Sequence, residues 1–154
     1  MGNYKNFEID FLKRTLALIS QYESILHKYN FNEQYNYTLL INCLLGLIIF
    51  PKANSLSYIP NQTLLDKKWR EEMGLKNTLI NPKYKNLKDL IIDLRNAVAH
   101  SDIVIESSDN NNLIDQIIFN DATDEIARFA ANELLPFIRY YSSWVISNLE
   151  KHKI

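Results

Sequence analysis

The residues best placed to do chemistry crowd into Leu94-Arg95-Asn96-Ala97-Val98-Ala99-His100. A guanidinium, an amide and an imidazole fall within two helical turns. Histidine, with an ordinary pKa of about 6.5, can take or give a proton near neutrality. Arginine stays charged and donates two parallel hydrogen bonds, which suits a phosphate. Together they fit metal-free RNA cleavage. A base takes the 2′-hydroxyl proton, an acid protonates the leaving 5′-oxygen, and a cation steadies the charge on the phosphate oxygens. The histidines at positions 27, 100 and 152 have no carboxylates at ligand spacing. Neither a metal site nor a cofactor is therefore expected.

A helix must carry this stretch. With about 3.6 residues per turn, Leu87, Leu90, Ile91, Leu94 and Val98 form one apolar stripe. Asp93, Asn96 and His100 share one flank, with Asn96 and His100 four apart and able to touch. Arg95 falls on the other flank, about 140° from His100. On one straight helix the two do not converge. Either the helix ends near Ala99 and frees His100, or a two-fold axis brings Arg and His from two copies into one cleft.

The rest of the chain reads as helical scaffold. At 154 residues it is expected to form one domain, residues 1–154. Three Gly and four Pro leave little room for irregular segments. Tyr4 to Tyr29 has the period of an amphipathic helix. Gln34 to Phe50 predicts a second helix, apolar nearly all round, in which Gly46 implies a close contact and Asn42 reads as a core amide. Pro51 to Pro60 is a loop. Thr63 to Met73 predicts a short helix capped by Gly74, bearing Lys67-Lys68-Trp69-Arg70, a solvated face with one aromatic anchor. The motif helix starts at Asn81-Pro82 or at Asn86 and runs to about His100. Residues 102–106 and 113–120 read as a β-hairpin. Asp121-Ala122-Thr123 then offers an N-cap for a last helix reaching Lys151, which Pro136 should kink. The expected fold is all-α, a helical bundle with a small β-hairpin inserted between the motif helix and the last helix.

The net charge of −1, from 17 basic and 18 acidic residues, lacks the basic excess of a generic duplex-binding surface, so any contact with nucleic acid is expected to be local, through a few well-placed cations. The longest apolar run, Leu39 to Phe50, is too short to span a bilayer, so no membrane association is expected. No signal peptide is visible, and the lone Cys43 suits a reducing compartment. A cytoplasmic location follows as an expectation.

The string from Leu94 to His100, with the upstream run Leu39-Leu-Ile-Asn-Cys-Leu-Leu-Gly-Leu-Ile-Ile-Phe-Pro51, resembles the HEPN superfamily, the higher eukaryotes and prokaryotes nucleotide-binding domains. That superfamily carries an Arg-x4–6-His motif, often with a polar residue after the Arg, and the likeness is to its stand-alone prokaryotic and plasmid-borne nucleases. The resemblance implies an α-helical bundle that dimerises with both motifs facing one cleft. It also implies metal-independent endoribonuclease activity, often in toxins or phage defence; cleavage by the 2′-hydroxyl would leave 2′,3′-cyclic phosphate ends. Arg95 and His100 would be catalytic, supported by Asn96, and Asn42 would border the cleft, with Asp93 a further lining candidate. The implied partners are RNA, a second copy of the chain, and an unidentified neutralising partner. Some HEPN toxins place Tyr two residues after the His, where a nucleotidyltransferase antitoxin modifies it; Asp102 stands there in this chain. Other members keep the fold and bind nucleotide, RNA or protein without cleavage, or pair with a different HEPN chain.

Overall fold

The computed structural model describes residues 4–49, 59, 61–108 and 113–152. Helix α1 spans Phe7–Ile25. Its start is fixed by Asn6, whose side chain accepts from the Ile9 amide, and by the Asp10 carboxylate, which accepts from the amides of Lys5 and Asn6. These bonds satisfy donors that a helix start leaves open. Helix α2 (Asn36–Leu44) runs into a π-helical turn, Leu45–Ile49. There Gly46 lies so close to the Phe11 ring that an added Cβ would sit 2.7 Å from it. This is the close contact that the glycine implied. Leu40, Cys43, Leu47 and Ile48 are buried, whereas Asn42 is exposed, so it is not the core amide the sequence suggested. The loop expected at Pro51 to Pro60 lies outside the described residues except for Ile59.

Helix α3 (Lys67–Glu72) starts at Asp66, which accepts from the Lys68 amide. Gly74 follows it with φ +80°, the left-handed geometry expected of a glycine cap. Trp69 packs against the core, Lys67 pairs with Glu71, and Arg70 donates to the Thr78 carbonyl. The basic cluster is thus a solvated face around one aromatic anchor. Helix α4 spans Leu87–His100. Asn86 rather than Pro82 starts it, accepting from the Asp89 amide at 2.9 Å. Leu87, Leu90, Ile91, Leu94, Ala97 and Val98 are buried along one stripe, as their spacing requires.

The strands are β1 (Leu79–Ile80), β2 (Ile103–Glu106), β3 (Gln116–Asn120) and β4 (Glu125–Ala130). They form one antiparallel sheet in the order β1-β4-β3-β2. The hairpin of β2 and β3 is present, but the all-α expectation is not met. The fold is mixed, with a four-stranded sheet built into the core. Ile117, Ile118 and Phe119 on β3 are all buried, and Phe119, Phe129 and Phe137 pack in sequence from β3 to β4 to the last helix.

The difference arises in residues 121–130. Asp121 accepts from the Thr123 and Asp124 amides at 2.8 Å each, and from the Thr123 hydroxyl. An N-cap and an Asx turn begin with the same side-chain bond. Here it closes a hairpin, and Glu125–Ala130 continues as β4. The last helix, α5, therefore starts at Ala131 and runs to Lys151, with Pro136 inside it. The Ala131 amide donates to the Asp115 carbonyl rather than to a capping side chain. No helix among the described residues is long and apolar enough to cross a membrane.

Candidate functional site

Helix α4 ends on the motif. His100 is its last residue, and Ser101 turns the chain with φ 61°. Left-handed geometry is uncommon outside glycine and asparagine. It is held by main-chain bonds: the amides of Ser101 and Asp102 donate to the Val98 and Ala97 carbonyls, the latter at 2.9 Å. The Asp102 carbonyl then accepts from the Asn120 amide at 2.9 Å. That bond ties the end of α4 to the β3–β4 hairpin.

An open cleft of about 470 Å³ lies in this corner, lined by Asn96, Ala97, His100, Asp102, Asn120, Asp121 and Ala122. Asn96 and His100 are both exposed and share it, as their four-residue spacing predicted. Arg95 does not line it. It is half-buried on the other flank of α4, where its charge reaches the buried Tyr141 hydroxyl of α5. Burial pushes that phenol up, and Arg95 only partly offsets the effect. The hydroxyl is one of three buried side-chain polar atoms with no partner among the described residues. Arg95, Asn96 and His100 likewise make no side-chain hydrogen bond or ion pair among the described residues.

Of the two further lining candidates, neither reaches the cleft. Asp93 lies on the expected flank, but its carboxylate accepts from the Tyr84 hydroxyl at 2.6 Å. Burial and that carboxylate together push the Tyr84 phenol up. Asn42 is exposed on α2 and is not among the cleft residues.

The side of the cleft facing Asn96 and His100 comes from residues that the motif did not announce. Asp102, Asn120, Asp121 and Ala122 come from the turn after α4 and from the β3–β4 hairpin. Asp121-Ala122-Thr123, which the sequence offers as a helix N-cap, is instead the turn between β3 and β4. Asp121 is committed to structure. The Thr123 amide and Lys83, at 3.0 Å, hold its carboxyl well below the usual range. Lys83 is held charged by the same contact and also pairs with Asp124 at 3.6 Å. Asp102 is exposed, and its carboxylate has no partner among the described residues.

This geometry offers a proton-transfer group, two amides and an uncommitted carboxylate in one cleft, with a guanidinium one flank away. Comparison with known proteins decides the lineage, because the family model HEPN pEK499 p136 matches residues 1–152. The chain belongs to the HEPN pEK499 p136 family. No curated protein and no solved structure matches it. A HEPN domain suggests a nuclease or a nucleotide-binding module, and the resemblance seen in the motif is thereby shown at the level of the family. A second cavity, of about 250 Å³, lies between α1, α2 and the start of α5 and contains none of the motif residues.

Proposed function

We propose that this HEPN protein is a metal-independent endoribonuclease whose active site is completed by a second copy of the chain. The observation that carries the reading is the division of the motif. His100 and Asn96 face the open cleft unengaged, while Arg95 sits on the opposite flank without a carboxylate among the described residues. A half-buried cation with no counter-ion suits an external anion. Two-fold pairing along α4 would set Arg95 of one copy against His100 of the other and supply a second imidazole.

In that assembly one His100 takes the 2′-hydroxyl proton. The oxygen attacks the adjacent phosphorus, and the P–O5′ bond breaks. The 5′-oxygen leaves with a proton from the second His100, so the proton count closes. Arg95 holds the phosphate oxygens as their charge grows, and Asn96 orients His100 or the substrate. The products carry 2′,3′-cyclic phosphate and 5′-hydroxyl ends. Such an activity would suit a toxin or a phage-defence nuclease.

The test is incubation of wild type, His100→Ala and Arg95→Ala with total RNA in EDTA. Wild type is expected to give cyclic-phosphate ends and both variants none. Equal cleavage by all three would end the proposal. A second reading, a module that binds nucleotide, RNA or protein without cleavage, draws on the net charge of −1. It predicts a ligand bound at the motif cleft and no new RNA ends.

A further inference from the structure

The nuclease proposal leaves Asp102 without a task. Asp102 lines the same cleft as His100, is exposed, and its carboxylate has no partner among the described residues. It cannot serve as a phosphate contact, because two anions would repel. Nor does a cation among the described residues pair with it: Lys83, which reaches the cleft residue Asp121, is taken by Asp121 and Asp124. Two further cleft side chains, Asn96 and Asn120, are amides with no side-chain hydrogen bond among the described residues. An ionised carboxylate only accepts hydrogen bonds, whereas an amide donates from one end and accepts at the other. One carboxylate sharing a cleft with two amides is suited to the edge of a base.

The four bases differ in what they offer such a wall. The pairing edge of guanine presents two adjacent N–H donors beside a carbonyl. A carboxylate can take both donors in parallel while an amide N–H meets the carbonyl. Adenine and cytosine offer a single amino group next to a ring acceptor. Uracil offers one N–H between two carbonyls. Neither pattern gives a carboxylate two bonds. Bases splayed out of single-stranded RNA are read on these edges.

We infer that Asp102, with Asn96 and Asn120, forms a guanine-reading subsite in the His100 cleft, so that the protein selects single-stranded RNA at guanine. This rests on the nuclease reading for the position of the cut, but not for the recognition itself. A good bidentate contact discriminates by about ten-fold or more.

Two measurements test it. The first is anisotropy binding of single-stranded 2′-fluoro RNA, which lacks the nucleophile, as otherwise identical oligonucleotides holding one guanine, adenine, cytosine or uracil. Wild type is expected to prefer guanine about ten-fold or more. Asp102→Ala should lose the preference, and Asp102→Asn should shift it towards adenine, whose amino group and ring nitrogen match an amide. The second is sequencing of the ends cut from a random RNA pool, which should fall beside guanine for wild type only. Base-blind binding by wild type, or a guanine preference that survives in Asp102→Ala, would overturn the inference. Guanine-selective binding without any cleavage would support this subsite and reject the nuclease. The variants should fold, because Asp102 joins Ala97 and Asn120 through its main chain.

Discussion

Glu133, in the first turn of α5, is buried at 7% exposure, and it holds the segment before β1 to that helix. Its carboxylate accepts from the Asn77 amide at 2.8 Å, the Asn77 side-chain amide at 2.9 Å, the Thr78 amide at 2.9 Å and the Thr78 hydroxyl at 2.7 Å. Glu133→Gln keeps the shape but replaces one acceptor oxygen with an NH2 group that faces those donors. A hydrogen bond to a charged group contributes about 1.5–3 kcal/mol, and a stranded buried donor costs about 1–3 kcal/mol. The substitution should therefore cost about 3–4 kcal/mol, or roughly ten degrees in melting temperature for a chain of this size. The pH dependence has a definite sign. Burial opposes ionisation, but the bonds from Thr78 and Asn77 outweigh it and hold the carboxyl below its ordinary value. The stability it contributes is present above the unfolded value of about 4.3 and is lost as pH falls through the lower folded value. Urea unfolding followed by circular dichroism should show the full gap between wild type and variant near neutrality, and a shrinking gap below about pH 4. A variant as stable as wild type at neutral pH, or a gap that stays constant into acid, would refute the reasoning.

Further substitutions probe other contacts. Gly46→Ala should destabilise by about 1–2 kcal/mol, because its Cβ would collide with the Phe11 ring and such overpacking outweighs the gain in helix propensity; thermal denaturation reads this directly. Ser101→Gly should stabilise by about 0.5–1 kcal/mol by relieving the left-handed backbone after α4, and a loss of stability in urea titration would count against it. Leu90→Ala, at a fully buried position on α4, should cost about 2–5 kcal/mol, seen as a lower urea midpoint.

What the sequence made legible follows from the reach of each signal. The stripe on α4 and the shared flank of Asn96 and His100 needed only helical period, and both are present. The place of Gly46 was legible because a glycine inside an apolar helix needs a packing reason, and Phe11 supplies it. β1 was not legible: two residues carry no period, and Leu79 and Ile80 become a strand only through pairing with Arg128 and Ala127 on β4. β4 was misread because Ile126 and Phe129 are three apart, which fits a helix, and because Asp121 caps a turn as readily as a helix. Asp121 and Ala122 reach the cleft only because that segment is a hairpin turn rather than a helix start. The cleft thus combines one helix-encoded side, readable from spacing, with residues brought in by tertiary pairing.

The account rests on Arg95 and His100 acting together only across two copies. Its most direct test follows RNA-cleaving activity per chain in EDTA while serial dilution changes the mass measured by sedimentation. Activity per chain is expected to fall in step with the loss of dimer and to return on reconcentration. A strictly monomeric protein that cleaves at undiminished activity per chain would contradict it.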